Sequence, residues 1–201
     1  MMFKNIFVFS VIATLAGCTS LMASVSGPDP VGKPAGERTL SMSIEDSSIE
    51  RTANINIYKA DTRFHDANVN VVSFYGSVLL AGQVQTEELK TQAEKVIRQI
   101  AEVKQVHNEL TVADASYYLE RSSDGIISTR IRTALALEKD YPSSRTKIFT
   151  VGGTVYLLGK LTAAEADQAV TIIKQIAGVK KIVKLVDYLS PPASTEAISG
   201  A

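Results

Sequence analysis

Few side chains in this 201-residue chain are of types that do chemistry near neutral pH, and their spacing does not bring them together. His65 and His107 are the only histidines, in unrelated local contexts, and Cys18 is the only cysteine. A zinc centre needs three or four convergent ligands, so no metal is expected. Glu87 and Glu88 fall where a helix should start, and carboxylates there complement the helix dipole. That placement argues against an acid–base pair. The serines never form G-x-S-x-G, and neither a Walker loop nor a dinucleotide fingerprint occurs. The sequence predicts no enzyme and no cofactor.

Cys18 has a different use. Lys4 supplies a positive start, Ile6 to Leu15 form an apolar stretch too short to span a bilayer, and Leu15-Ala16-Gly17 lead into the cysteine. This is similar to a bacterial lipobox, in which the cysteine is acylated and becomes the mature N-terminus. Residues 1–17 are then a lipoprotein signal peptide and Cys18 the lipid anchor. Several acyl chains together hold a protein on a membrane firmly. With a single cysteine, no intrachain disulfide forms. Thr19 stands where an inner-membrane retention aspartate would sit, and by resemblance to lipoprotein sorting rules this points to the outer membrane.

The elements behind the anchor come in duplicate. Gly76-Ser77-Val78-Leu79-Leu80-Ala81-Gly82 and Gly153-Thr154-Val155-Tyr156-Leu157-Leu158-Gly159 share the pattern G-x-V-x-L-x-G. A repeat of this length means two copies of one small unit. Each copy reads as helix, hairpin, helix, strand. In the first, Ile49, Ala53, Ile57 and Ala60 recur at helical spacing, Asn68 to Phe74 is a strand, and Tyr75-Gly76 turns into the next. Gly82 is expected to end that second strand. Thr86 caps a helix carrying Leu89, Ala93, Val96, Ile97 and Ile100, and Val106 to Leu110 form the last strand.

In the second copy, Gly152-Gly153 makes the turn and Thr162-Ala163-Ala164-Glu165 is a capping box. Gly178 is expected at the left-handed end of that helix; the first copy has Glu102 there instead of glycine, so its second helix is expected to end less sharply. The fold class is α+β: two tandem αββαβ units, each a three-stranded mixed sheet packed against two helices. Both cores are small, so the units are expected to pack on each other.

Composition sets the boundaries. Residues 18–43, rich in Gly and Pro, read as a flexible tether of roughly 25–30 Å typical reach. The first unit follows at 44–113, a linker at 114–122, the second unit at 123–189, and an uncommitted tail at 190–201. Linker residues Tyr117 and Tyr118 pack into the domain junction or touch the membrane interface; both roles stay open. Formal net charge is zero, yet residues 46–112 carry 7 bases against 9 acids, and residues 123–189 carry 10 bases against 6 acids. The later unit is therefore the one that attracts anionic partners.

The paired G-x-V-x-L-x-G hairpins, the capped helices behind them and the closure Ile176-Ala177-Gly178-Val179 resemble BON domains. With the lipobox ahead of them, the arrangement is similar to dual-BON outer-membrane lipoproteins. That resemblance covers about 46–189. It implies a non-enzymatic envelope protein on the periplasmic face of the outer membrane, whose second domain binds anionic phospholipid through its first helix.

On a helical wheel of residues 126–137, Ile127, Ile131, Ala134 and Leu135 make a core face. Ile126, Arg130, Thr133 and Leu137 line a neighbouring face with Thr129 beside them. Two aliphatics flanking a guanidinium suit a headgroup boundary, with arginine forking onto phosphate. The matching residues of the first copy, Ser48, Thr52, Ile55 and Lys59, are mostly polar. The competing reading seals Ile126 and Leu137 against the first unit. Three functions follow: a tethered phospholipid-binding module that maintains envelope integrity, an adaptor for outer-membrane assembly proteins, or a soluble periplasmic stress protein. Export removes the basic unit from nucleic acid.

Overall fold

A single threonine opens the first helix. Thr39 is extended and its hydroxyl accepts from the Met42 amide at 3.2 Å, starting α1 at Leu40–Ala60. The computed structural model describes residues 37–113 and 121–190; the signal segment, Cys18, the tether up to residue 36, Tyr117, Tyr118 and the tail from 191 lie outside them. Helix α1 begins four residues before the boundary expected at 44, so part of the anticipated tether is helical. It buries Ile49, Ala53 and Ile57 as its spacing requires, whereas Ala60 is exposed.

A short 3-10 turn at Thr62–Asp66 leads into β1 (Asn68–Phe74) and β2 (Ser77–Val84), paired antiparallel. Helix α2 (Glu87–Ile97), capped by Thr86, crosses over to β3 (Gln105–Val112), which lies parallel to β2. The second copy repeats every step. Helix α3 (Arg121–Leu137) is followed by β4 (Thr146–Val151), β5 (Thr154–Leu161), α4 (Ala163–Ile173) and β6 (Lys181–Tyr188). Each sheet is three-stranded and mixed, with β2 or β5 at its centre.

The capping box at Thr162 and Glu165 forms in both directions, at 3.3 Å and 2.7 Å. The hairpin turns are matched: Tyr75 and Gly76 have φ 56° and 78°, Gly152 and Gly153 φ 57° and 77°. Two consecutive positive φ values are what a two-residue hairpin needs to follow strand twist.

The second glycines of the repeat do something other than end a strand. Gly82 lies inside β2, paired with Val69 on one side and Leu110 on the other. At its φ of +129°, a Cβ would sit 1.9 Å from the Asn68 carbonyl oxygen. Gly159 likewise lies within β5, and a Cβ there would meet the Arg145 carbonyl at 2.7 Å. These are close-approach positions where a neighbouring backbone occupies the side-chain space. Gly178 does take positive φ, but α4 has already ended at Ile173. In the first copy α2 ends at the equivalent Ile97 without a glycine, so Glu102 costs no sharpness.

Both sheets are apolar on both faces. On one face of the first, Val71, Val78, Leu80, Val84, Val106 and Leu110 pack under α1 and α2. On one face of the second, Ile148, Val155, Leu157 and Leu161 pack under α3 and α4. The opposite faces meet: Val72, Phe74, Leu79 and Ala81 form one cluster with Tyr156 and Leu158, flanked by Phe149, Val151, Val183 and Leu185. The result is a four-layer helix–sheet–sheet–helix stack, with each copy's helices on its own outer side. At the edge of the junction, Lys147 Nζ donates to Glu50 Oε1 at 2.8 Å and to the Ser73 carbonyl at 3.0 Å.

Candidate functional site

Because the sheets use each other as cover, α3 keeps one face for its own core and leaves the other to solvent. Ile127, Ile131 and Leu135 are buried beneath it and Ala134 is half-buried. On its other flank, the buried Ser128 hydroxyl donates to Thr150 Oγ1 at 2.8 Å. The five stripe residues all lie on the outside. Ile126 is 54% exposed, Leu137 is 81% exposed, and Thr129, Arg130 and Thr133 are exposed between them.

Ile126 and Leu137 stand about 16 Å apart along the helix axis. No hydrogen bond or ion pair among the described residues engages the Arg130 side chain. The Thr129 hydroxyl is turned back onto the Gly125 carbonyl at 2.9 Å. At these exposures neither Ile126 nor Leu137 is sealed against the first domain. Helix α4 runs alongside α3, joined by Gln168 Nε2 donating to Glu138 Oε1 at 3.3 Å, and a Cβ at Gly178 would come within 2.8 Å of Ile127 Cδ1.

The first copy is less plain than its stripe suggested. Ser48, Thr52 and Lys59 are exposed, but so are Leu40, Ile44, Ile55 and Tyr58, which share the outward side of α1. Only Leu40 falls in the segment read as tether; Ile44, Ile55 and Tyr58 lie within the unit, outside the four positions matched to the α3 stripe except for Ile55.

Two carboxylates went unnoticed in the sequence. Asp46 on α1 is 1% exposed and accepts from the Ser73 hydroxyl (2.7 Å), the Tyr75 amide (3.1 Å), the Gly76 amide (3.0 Å) and Arg38 (2.7 Å). Burial pushes its pKa up, but the Gly76 amide, the Ser73 hydroxyl, Arg38 and the Tyr75 amide outweigh that and hold it below the usual aspartate range. The same position in the second copy, Asp124, accepts from the Gly152 and Gly153 amides at 2.7 and 2.9 Å. Both clamp a hairpin turn to the first helix. Each lies three residues before the first core isoleucine, Ile49 or Ile127, and this repeat-to-repeat match was the available signal.

The histidines hold no site. The His107 ring contacts Ser77 Oγ at 3.1 Å, and burial lowers its pKa, while His65 is exposed and stacks near Tyr58. Among the described residues, no three His, Cys, Asp or Glu side chains converge, and no helix is long and apolar enough to cross a membrane. A groove of about 400 Å³, with Ile148, Phe149 and Val151 in its lining, runs between Asn68, Asn70 and Gln83 on one side and Asp124, Ser128 and Arg132 on the other. Most of its polar side chains bond within the protein, Asn70 to the Ala81 carbonyl, Arg132 to the Ser128 carbonyl and Asp124 to the Gly152 and Gly153 amides.

The sequence matches the BON domain family twice, over residues 47–114 and 123–190. It is 31% identical over 186 residues to outer membrane lipoprotein DolP of Haemophilus influenzae, covering 92% of each chain. It is 28% identical to a 21 kDa hemolysin of Actinobacillus pleuropneumoniae, across 78% of this chain and 81% of that one. Osmotically-inducible protein Y of Escherichia coli is 27% identical over 69% of this chain and 70% of its own.

Proposed function

The chain belongs to the BON-domain family, and on that premise we propose that it is a non-enzymatic lipoprotein of the outer membrane. Acylated Cys18 holds it on the periplasmic face, where α3 docks on anionic phospholipid and supports envelope integrity. Likeness to outer membrane lipoprotein DolP over nearly the whole chain supports the location. The single observation that carries the docking mode is the exposed face of Ile126, Thr129, Arg130, Thr133 and Leu137 on the more basic domain.

The magnitudes suit a tethered protein. Burying what Ile126 and Leu137 expose contributes about 1–2 kcal/mol each, and one arginine at an anionic surface about 1 kcal/mol. Together that corresponds to roughly millimolar affinity or somewhat better. Such contact is weak for a free domain. It is sufficient for one leashed to the same bilayer, where the second binding event is intramolecular.

The test uses residues 37–190, which contain both helix-covered cores and the cluster between the sheets. At millimolar accessible lipid, matched to that affinity, a measurable share of this fragment sediments with vesicles containing phosphatidylglycerol, and Ile126→Glu or Leu137→Glu abolishes that share while leaving circular dichroism unchanged. Wild-type sedimentation by both glutamate variants would sink the docking mode. The second reading is an adaptor for envelope assembly proteins. It is favoured by Leu40, Ile44, Ile55 and Tyr58 on α1, which faces the side of the stack opposite α3. An adaptor working without lipid leaves the wild-type fragment in the supernatant.

A further inference from the structure

The two copies differ where the second helix meets the third strand. In the first domain this seam is closed. Asn108 Nδ2 on β3 donates to Glu94 Oε2 on α2 at 3.1 Å and to the Lys90 carbonyl at 2.9 Å, while Arg98 forks onto Glu94 Oε1 at 2.7 Å. Beneath that network Val106 and Leu110 are buried. In the second domain valine stands in the glutamate's place, at Val170, and Lys184 stands in the place of Asn108. The polar closure is gone. A groove of about 380 Å³ opens, floored by Val170, Val179 and Ile182 and rimmed by Lys174, Lys180, Lys181 and Lys184. Ile182 and Val186 are correspondingly half-covered.

The rim is positive and only partly answered. Lys184 is engaged by Tyr188 and, at 3.5 Å, by Asp167 Oδ1, the latter an exposed pair that stabilises little. The ammonium groups of Lys174 and Lys181 meet no acceptor among the described residues. Lysines on an edge strand also discourage strand pairing. Lys174, however, is on the turn leaving α4, off that edge, and the apolar floor does not serve that purpose.

We propose that this groove between α4 and β6 is a second phospholipid contact, taking the phosphate headgroup of an anionic lipid on Lys174 and Lys181 while Val170, Val179 and Ile182 receive the glycerol and first acyl carbons. The inference rests on the docking reading above. Its position supports it: α4 lies beside α3 in the same outer layer, so a bilayer against Ile126 and Leu137 comes up to the neighbouring helix as well. Charge complementarity favours lipid, because the opening sits on the domain with excess positive charge.

The acylated full-length chain in nanodiscs containing spin-labelled phosphatidylglycerol tests this through paramagnetic broadening of amide signals. Broadening is expected at two places, residues 126–137 and residues 179–184. Lys174→Gln with Lys181→Gln should weaken the second set by roughly fivefold or more per charge removed, with the first set kept. Val170→Glu with Lys184→Asn, which transplants the first domain's closure, should do the same without depending on the removal of those two lysines. Broadening of 126–137 alone in the wild type overturns the groove and leaves the docking face standing. Broadening of neither set overturns the docking reading itself, and broadening of 179–184 alone keeps the groove while overturning the α3 stripe.

Discussion

Asp46→Ala should be among the most damaging substitutions in the molecule, although no catalytic or lipid contact is involved. The carboxylate is 1% exposed and takes four hydrogen bonds, two of them from the Tyr75 and Gly76 amides. Tyr75 sits at φ 56°, a strained region for a bulky residue, and the carboxylate is what holds its amide there. Each buried donor left without a partner costs about 1–3 kcal/mol. Simple addition overshoots, because the turn relaxes and Arg38 swings to solvent, and removal of one partner from a buried charged pair typically costs about 3–5 kcal/mol. About 4 kcal/mol is the expectation.

Asp124→Ala is the internal control. It removes the equivalent clamp, but Asp124 is half-exposed, it holds two glycines, and water replaces part of what is lost. About 1 kcal/mol is expected there. Urea unfolding of residues 37–190, followed by circular dichroism and tyrosine fluorescence, measures both. With a slope of about 2 kcal/mol per molar, the midpoint should drop by about 2 M for Asp46→Ala and by about 0.5 M for Asp124→Ala. Equal, small shifts in the two variants would refute the argument that burial of the first clamp sets its worth.

Other outcomes follow from the same geometry. The Asp46 pKa is depressed, so its contribution is complete above the ordinary aspartate value near 4 and is lost as pH falls below it; an acid titration of stability should be flatter below that value in Asp46→Asn than in the wild type. Gly82→Ala forces a Cβ to 1.9 Å from a carbonyl oxygen at positive φ and should cost more than about 4 kcal/mol or prevent folding. Gly125→Ala, on α3 with nothing within 4 Å of the added carbon, should instead stabilise by about 0.5–1 kcal/mol; thermal melts compare the two. Leu158→Ala, in the cluster between the sheets and 1% exposed, should cost about 2–5 kcal/mol and speed hydrogen exchange in β2 as well as in β5.

What could be read directly was local. The glycine-bearing turns at Gly76 and Gly153, the Thr86 cap and the Thr162–Glu165 box each need particular residue types at fixed offsets, and the chain supplies them. The role of the second glycines, Gly82 and Gly159, is not legible locally, because a glycine that ends a strand and one that makes room for another strand's carbonyl look alike without the partner. Packing of the units was foreseen from size alone, but its surfaces were not. The runs Val78-Leu79-Leu80-Ala81 and Val155-Tyr156-Leu157-Leu158 held that information, since strands apolar without alternation are buried on both faces. Asp46 was passed over because a carboxylate in an amphipathic helix is ordinarily a solvated charge. The groove at Lys174 and Lys181 needed the fold to bring α4 and β6 together before the exchange of Glu94 for Val170 acquired meaning.

The double-sided sheets make the duplication hard to reverse. Cut between the copies, each half would bare a plate of aliphatic and aromatic side chains to water, Val72, Phe74 and Leu79 on one and Tyr156 and Leu158 on the other. Such plates adhere to whatever is near. The protein is therefore a single foldable object assembled from two look-alikes, and its halves are free to diverge in what they show outward only because they are bound to stay matched within.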